Sequence, residues 1–352
     1  MAPMDIKWST DTGAGSHVTS TLVNDKGIYA AAYGEVFRLS RSIGNIIASN
    51  NLAGTGYHEV RLATPADAQV LLVGTSGYVI CLESEWLNEK WRKYLDDSEH
   101  QVTSVLCANG SVYAGSNGHV YRLNLESGDE EAHNPLSKYG KHEIRLDWNH
   151  GIEGIFNGRP SLVVGTNGWA FGLDFEHLRF RWENGLPGSG HDVVSVVGDG
   201  DVVYAGSGGI VYRLDGVDGR QLHKNELKGV GTREVRLSLS TSKDSLRVGT
   251  NGYALGLRPK DLERVYLESL PGSGSSATDV VNLDLNTDMV IERSAALYAN
   301  NGYVYAVDKN GRMQAKNLEG YGKDETRLAF DSQDSRLIFV GIRGQVVALT
   351  LN

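Results

Sequence analysis

A glutamate and an arginine two residues apart recur four times in this sequence. Each pair lies in a Glu-x-Arg-Leu tetrapeptide, and these begin at Glu59, Glu143, Glu234 and Glu325. In a β-strand both charged side chains point to the same side, because side chains alternate between the two faces. Buried charges need partners, so one interpretation is ion pairing between neighbouring repeats or around a shared channel. The alternative is that these side chains bind a ligand.

The segments that lead into each Glu-x-Arg-Leu add polar and aromatic groups. They are Gly54–Glu59, Tyr139–Glu143, Gly229–Glu234 and Gly320–Glu325. A nearby turn glycine is followed in each case by a large side chain, at Tyr78, Trp169, Tyr253 and Gln345. Pyranose recognition needs an aromatic face for the sugar C–H groups and paired hydrogen bonds for the hydroxyls. These features predict repeated carbohydrate sites, and the alternative is that the aromatic side chains pack between repeats.

Catalytic and metal-binding patterns are weaker than this recurrence. Ser189-Gly-His191-Asp192 contains the residue types of a catalytic triad, but adjacency in one loop does not make triad geometry. The ten histidines show no metal-ligand spacing. We therefore expect no catalytic residues, no metal and no cofactor. The candidate ligand-binding residues are Tyr57, His58, Glu59, Tyr78, Lys141, His142, Glu143, Trp169, Arg233, Glu234, Tyr253, Tyr321 and Glu325.

The elements that must position these residues follow from a short repeat. The pattern small-Gly-[Ser/Thr]-Asn-Gly-x-[Val/Ala]-x-x-Leu, with variations, occurs eight times. Its turn glycines are Gly34, Gly77, Gly118, Gly168, Gly208, Gly252, Gly302 and Gly344. Asn-Gly and Ser-Gly between runs rich in Val, Tyr and Leu are typical of two-residue β-hairpins. Spacings of 40 to 50 residues match four-stranded propeller blades.

A second period groups the repeats into pairs. Every second repeat begins with Glu-x-Arg-Leu, and the others begin with Val18–Ser20, Val102–Ser104, Val193–Ser195 and Val280–Asn282. Outer-strand segments that end in an aromatic residue occur at Leu87–Trp91, Leu178–Trp182 and Leu262–Tyr266. The last repeat lacks one, and Met4–Trp8 supplies it. We predict an all-β fold in which residues 1–352 form a single domain. It is one eight-bladed propeller of four-stranded blades, four repeats of a blade pair, closed by the N-terminal strand.

Composition restricts the partners and the compartment. The chain has 34 Lys and Arg against 43 Asp and Glu, a net charge of −9, which argues against a nucleic-acid surface. Two cysteines exclude a disulfide framework. No apolar run is long enough for membrane insertion, and the N-terminal residues do not resemble a secretory signal. We expect a soluble protein that is cytoplasmic or exported without a signal peptide.

The segments Val211–Gly216 and Val304–Gly311 follow, with variations, the pattern Val-Tyr-x-Leu-Asp-x-x-x-Gly. In this pattern the chain resembles, over essentially its whole length, the quinoprotein-dehydrogenase-like (PQQ-like repeat) superfamily of propellers. The resemblance implies a quinone-cofactor dehydrogenase, a scaffold or a binding protein. The dehydrogenases carry a secretory signal, an inserted cofactor shell and metal ligands, none of which is recognisable here. The repeat logic is also similar to that of propeller lectins.

These observations favour a non-catalytic, multivalent carbohydrate-binding lectin with glycan partners on one propeller face. The first alternative is a scaffold for protein partners. The second is an enzyme that binds a small molecule in the central pocket. The repeat pattern carries no indication of oligomeric state.

Overall fold

A ring of eight antiparallel sheets, each with four strands, forms the protein. The computed structural model describes residues 4–149, 161–273, 277–283, 295–318, 324–331, 334 and 336–351. The first strand of each sheet contacts the first strand of the next, and the last such contact returns to the first sheet. The predicted eight-bladed propeller is therefore confirmed. Within the described residues, no helix has the length and apolar character needed to cross a bilayer.

The strands of the first four blades run in order from the channel outwards. Blade 1 contains β2 (Ser20–Asn24), β3 (Gly27–Ala32), β4 (Glu35–Leu39) and β5 (Ile46–Asn50). Blade 2 contains β6 (Arg61–Ala63), β7 (Val70–Thr75), β8 (Tyr78–Glu83) and β9 (Glu89–Tyr94). Blade 3 contains β10 (Ser104–Ala108), β11 (Ser111–Ser116), β12 (His119–Asn124) and β13 (Glu130–Pro135), followed by a 3₁₀ helix (Ser137–Tyr139). Blade 4 contains β14 (Arg145–Asn149), β15 (Ser161–Thr166), β16 (Trp169–Leu173) and β17 (Phe180–Asn184).

The remaining blades follow the same order, except that the last takes its outer strand from the N-terminus. Blade 5 contains β18 (Ser195–Asp199), β19 (Val202–Ser207), β20 (Ile210–Asp215) and β21 (Gln221–Glu226). Blade 6 contains β22 (Arg236–Leu239), β23 (Leu246–Thr250), β24 (Tyr253–Leu257) and β25 (Arg264–Ser269). Blade 7 contains β26 (Asp279–Leu283), β27 (Ala295–Asn300), β28 (Tyr303–Val307) and β29 (Met313–Asn317). Blade 8 contains β30 (Arg327–Phe330), β31 (Leu337–Ile342), β32 (Gln345–Leu351) and β1 (Met4–Asp11).

Two-residue hairpins join the second and third strands of the blades. In blade 3, Ser116 pairs with His119, and the turn residues Asn117 and Gly118 have φ of 49° and 79°. Positive φ at both positions is the geometry that matches the twist of the two strands. In blade 5 the pairing of Ser207 with Ile210 makes Gly209 the counterpart of Gly118, one residue later than the sequence pattern indicated.

A glycine near the end of the second strand lets neighbouring blades approach closely. A Cβ on Gly341 of blade 8 would lie 2.1 Å from the carbonyl oxygen of Thr19, which precedes blade 1. A Cβ on Gly165 of blade 4 would lie 2.4 Å from the carbonyl oxygen of Val194, before blade 5. Only glycine fits the backbone contact at these two positions, whereas blades 1 and 7 carry Ala31 and Ala299 at the equivalent place.

The N-terminal strand closes the ring as predicted. Strand β1 pairs antiparallel with β32 from Met4 opposite Leu351 to Asp11 opposite Gln345. Trp8 is buried, and its indole N–H donates to the Arg41 carbonyl of blade 1 at 3.1 Å. Trp91 and Trp182 make the same kind of bond to the carbonyl groups of Leu125 and Gly216, at 2.9 and 3.0 Å. The indole hydrogen bonds of these outer-strand tryptophans therefore join each of these blades to the next.

Candidate functional site

The four Glu-x-Arg pairs form a closed ring of alternating charges around the channel. Within each pair the guanidinium contacts its own glutamate, at 3.1 Å (Arg61–Glu59), 2.7 Å (Arg145–Glu143), 2.9 Å (Arg236–Glu234) and 2.7 Å (Arg327–Glu325). Each guanidinium also reaches the glutamate of the next pair, at 2.6 Å (Arg61–Glu143), 3.2 Å (Arg145–Glu234), 2.5 Å (Arg236–Glu325) and 3.2 Å (Arg327–Glu59). The ion-pair interpretation is thus confirmed, and the ring joins blades 2, 4, 6 and 8.

The ring holds the carboxylates of Glu59 and Glu234 in the charged state. Burial alone would raise the pKa of Glu59, but the charges of Arg61 and Arg327 outweigh it and lower the pKa to about 2. The pKa of Glu234 is lowered to about 2 in the same way by Arg236 and Arg145. Each carboxylate therefore lies between two cations, as expected of a buried ion-pair network that stabilises the fold.

One acidic residue breaks the fourfold pattern. Asp279 of blade 7 contacts Arg236 at 3.2 Å and accepts a hydrogen bond from the Leu328 backbone N–H at 2.8 Å. At the corresponding position of blade 3, Ser104 accepts a hydrogen bond from Arg61 at 2.5 Å. Arg236 alone among the described ring arginines thus has three carboxylate partners, and it is the most buried of the four.

The sequence pattern placed blade 7 out of register and so missed Asp279. The pattern aligned Val280–Asn282 with Val18–Ser20, whereas the structure pairs Asp279 with Ala299 as it pairs Ser20 with Ala31. The threonine that precedes Ser20, Ser104 and Asp279 marks the correct register of the inner strand. Thr19, Thr103 and Thr278 all accept a hydrogen bond from the turn glycine N–H of the preceding blade.

A polar cavity of about 300 Å³ lies at the axis beside the ring. Its lining includes Arg61, Arg145, Arg327, Asp279 and the hydroxyl side chains of Ser20 and Ser104. The arginines that face it are already paired with ring carboxylates, so the cavity offers few charged groups without a partner. Among the described residues, no cluster of three or more His, Cys, Asp or Glu could hold a metal ion.

Asp147 of β14, two residues after Arg145, is a half-buried carboxyl. It accepts a hydrogen bond from the Gly198 N–H of blade 5 at 2.8 Å. Burial raises the pKa of Asp147 to about 6, and the backbone hydrogen bonds only partly oppose this. The folded state therefore binds a proton between about pH 4 and pH 6 that the unfolded state releases, so this group lowers stability as the pH rises through that range.

Replacing Asp147 with asparagine should relieve this cost, since the amide keeps an acceptor for Gly198 and carries no charge. We expect Asp147→Asn to raise the free energy of unfolding at pH 7.5 by about 1–2 kcal/mol and to change it little at pH 4. Urea titrations at the two pH values measure the difference. Asp67→Asn, at an exposed carboxyl, is the matched control and should have no effect at either pH. An equal effect of Asp147→Asn at both pH values would contradict the prediction.

The loops that lead into the inner strands, here called the leading loops, lie between two hairpins. A Cβ on Gly34, in the hairpin of blade 1, would lie 2.3 Å from the Gly56 carbonyl oxygen in the loop that leads into blade 2. The Asn167 amide, in the hairpin of blade 4, donates to the Tyr139 carbonyl oxygen in the loop that leads into the same blade. Each of these loops therefore touches its own blade and the preceding one. We call this side of the propeller the loop face.

An exposed stack of three aromatic rings stands on the loop face. Tyr57 is 69% exposed, and its ring stacks on Tyr33 with 4.5 Å between centroids. Tyr33 in turn stacks on His17, at 3.9 Å. The three residues come from the loops that lead into blades 1 and 2 and from the hairpin between them. Tyr57 was predicted as a ligand residue, whereas His17 and Tyr33 were not.

Tyr33 gives a signal that sequence reasoning could have used. It occupies the first turn position of its hairpin with φ of 50°, a conformation that a bulky side chain rarely adopts. The corresponding residue in blades 3, 4, 6 and 7 is asparagine, which tolerates this conformation well. A tyrosine at a strained turn position indicates a role for its side chain, and here its ring stacks on both Tyr57 and His17.

The other candidate residues divide into two groups. Tyr78, Trp169 and Tyr253 are half-buried on the hairpins. Tyr78 packs on Tyr94 with 4.9 Å between centroids, and Trp169 packs on Tyr139 at the same distance. The exposed candidates on the loop face are His58, Lys141, His142 and Arg233. Lys141 forms an ion pair with Glu99.

The four glutamates Glu59, Glu143, Glu234 and Glu325 lie in the charge ring. Tyr321 lies outside the described residues. Ligand contact by any of these candidate residues remains a prediction.

Comparisons with known proteins agree with this architecture. The sequence profile of a family described as outer membrane protein assembly factor BamB matches residues 130–351. No curated protein matches the chain at the sequence level. Among solved structures, BamB from Moraxella catarrhalis is similar with a TM-score of 0.68 at 16% identity, covering 99% of this chain and 98% of that one.

Two further structures show the same fold at low identity. Saccharomyces cerevisiae Sqt1 has a TM-score of 0.75 at 12% identity, with 100% of both chains covered. Quinohemoprotein alcohol dehydrogenase from Comamonas testosteroni has a TM-score of 0.70 at 10% identity, covering 99% of this chain and 76% of that one. Similarity at these identities establishes the propeller architecture and does not transfer an activity.

Proposed function

Because this chain belongs to the family described as outer membrane protein assembly factor BamB, we propose that it is a non-catalytic scaffold that binds protein partners on its loop face. The observation that carries the proposal is the exposed Tyr57–Tyr33–His17 stack. Tyrosine is one of the side chains enriched in protein-binding hot spots, since it offers a large apolar ring and a hydroxyl with little conformational freedom to lose. The family is described as an outer membrane protein assembly factor, which supports a protein-binding role.

The arrangement of the polar groups supports binding rather than catalysis. The glutamates and arginines at the channel are paired with one another, and the pKa values of Glu59 and Glu234 are lowered to about 2. A general acid or base needs a pKa near the working pH, so these ring carboxylates are poorly suited to proton transfer. The ring instead makes a rigid platform for the loops around it, which is how propellers commonly present binding residues.

The asymmetry of the loop face favours a protein partner over a repeated carbohydrate. A multivalent lectin would present similar sites at equivalent blades, but the described leading loops differ in residue type. Tyr57 and His58 occupy the loop before blade 2, where Lys141 and His142 lie before blade 4 and Thr232 and Arg233 before blade 6. A single large protein surface can contact several dissimilar loops at once, whereas a small glycan repeated around the ring cannot.

Replacing Tyr57 with alanine tests the proposal. A photo-reactive amino acid at position 57, introduced in cells that naturally make the protein, first captures the partner for identification. We then expect Tyr57→Ala to raise the Kd of the purified partner at least about tenfold, since truncating a hot-spot aromatic costs about 1.4 kcal/mol or more. Val265→Ala, on the exposed outer strand of blade 6, is the control and should leave the Kd unchanged. Equal affinity of Tyr57→Ala and the unmodified chain would refute a binding role for the stack.

A further inference from the structure

The outer strand of blade 1 is the only described outer strand without a charged residue. Every blade ends in an outer strand whose far edge has no strand partner in the ring. Charged side chains on such an edge oppose pairing with another chain. Seven outer strands carry at least one such residue, whereas β5 reads Ile-Ile-Ala-Ser-Asn. The edge of blade 1 therefore lacks the usual protection.

Apolar side chains are exposed on and beside this edge. Ile46 and Ile47 begin β5, and Ile43 in the preceding turn is 69% exposed. We define the isoleucine rim as the exposed residues Ile6, Ile43, Ile46, Ile47 and Trp86. Monomeric proteins seldom expose contiguous apolar patches larger than a few hundred Å², and larger patches mark interaction sites.

Contacts between three neighbouring blades bring together the segments that carry the rim residues. The Thr10 hydroxyl of β1 donates to the Gly44 carbonyl oxygen at 2.6 Å, which joins blade 8 to the turn that contains Ile43. The Asn50 amide of β5 donates to the Leu87 carbonyl oxygen at 2.8 Å, which joins blade 1 to the turn that contains Trp86. The rim lies toward the ends of the strands opposite the leading loops, so it is a second surface, separate from the proposed partner site.

The absence of charge on β5 also indicates what covers it. Around a twofold axis an edge strand pairs antiparallel with its own copy, so the residue at the axis faces itself and the other residues face residues elsewhere in the same strand. A charge at or beside the axis then lies close to its own copy, which is destabilising. The uncharged β5 avoids this repulsion, and its isoleucines supply an apolar contact that is the same from both sides.

We propose that two copies of this chain associate through β5 and the isoleucine rim to form a twofold dimer with one continuous eight-stranded sheet across the interface. The free N–H and C=O groups on the outer edge of each β5 then bond to the other copy. A strand of five residues with its flanks gives a contact at the small end of stable interfaces, so we expect a Kd in the micromolar range.

Analytical ultracentrifugation of the full chain tests this dimer. We expect mostly monomer at about 1 µM and mostly dimer at about 200 µM, which corresponds to the micromolar Kd. Ile46→Lys sets two cations across the twofold axis and should weaken the dimer at least about tenfold. Val265→Lys, at the exposed Val265 on the outer strand of blade 6, is the matched control and should dimerise as the unmodified chain does.

A second measurement protects the test against a folding defect. Ile47→Cys places a thiol on each β5, and mild oxidation should convert the dimer to a covalent one. The native cysteines should compete little for this disulfide, because Cys81 is buried and Cys107 is partly buried. Thermal melts confirm that each variant is folded. A chain that stays monomeric up to about 200 µM overturns the proposal. A dimer that survives Ile46→Lys unchanged and does not cross-link through position 47 also overturns it, since association then uses another surface.

Discussion

Arg236→Met will lower the free energy of unfolding at pH 7 by about 3–5 kcal/mol. Arg236 is buried between three carboxylates, at 2.9 Å from Glu234, 3.2 Å from Asp279 and 2.5 Å from Glu325. Methionine fills much of the same volume but leaves these charges without their shared cation. The cost arises from the unpaired buried carboxylates rather than from the lost attraction alone. Urea unfolding followed by tryptophan fluorescence measures the difference.

A surface arginine provides the control for this experiment. Arg258 pairs with Asp261 and Glu263 in the turn between β24 and β25, and it is largely exposed. Arg258→Met should change the free energy of unfolding far less than Arg236→Met does, since exposed ion pairs contribute little. The deficit of Arg236→Met should also shrink as the pH falls, because the unpaired carboxylates of the variant then take up protons. A deficit for Arg236→Met no greater than that of Arg258→Met would show that the ring does not stabilise the fold.

Removal of residues 1–11 will prevent the propeller from closing. Strand β1 supplies the outer strand of blade 8 and pairs with β32 over nearly its full length. Its loss exposes the β32 edge and removes Trp8 from its contact with the turn before β5. An exposed hydrophobic edge strand promotes aggregation, so we expect a large fall in the melting temperature and loss of soluble monomer. Calorimetry and size-exclusion chromatography of the truncated chain measure both effects.

A peptide added in trans supplies the control for the truncation. The synthetic peptide of residues 1–11 should bind the truncated chain and restore its melting temperature, because it can rebuild the four-stranded blade. The same peptide with Trp8→Ala should restore it poorly, since it lacks the indole that packs against Gly44 and bonds to Arg41. A truncated chain that melts at the temperature of the full chain would contradict closure by β1.

The fold was predictable because its determinants are local and periodic. Asn-Gly turns such as Asn117-Gly118 define hairpins from two residues, and their recurrence fixes the number of blades. Closure was predictable because Trp8 at the N-terminus matches Trp91 and Trp182, and the structure gives all three the same bond to the following blade. The charge ring could be predicted as one of two alternatives, because the side chains of residues two apart in a β-strand lie on the same face.

The proposed partner surface was harder to predict because it depends on tertiary contacts. Tyr57 was matched with Tyr78 on its own blade, whereas its ring stacks on Tyr33 of the preceding blade. Asp279 was missed because Val280–Asn282 resembles Val18–Ser20 in sequence. The residue at the position of Ser20 is Asp279, three residues before Asn282. A carboxylate that replaces a serine in one blade of four changes the charge partners of Arg236, and the repeat consensus hides such single departures.

Hydrogen–deuterium exchange on the purified partner complex tests the central claim most directly. A protein partner on the loop face should slow exchange in residues 13–17, 33–34 and 54–58, which surround the aromatic stack, and should leave the turns on the opposite side unchanged. Slowed exchange confined to the inner strands around the channel, with one small molecule bound per chain, would contradict the account and indicate a ligand at the axis. Protection repeated at equivalent loops of blades 2, 4 and 6 by an added glycan would equally contradict it and restore the lectin hypothesis.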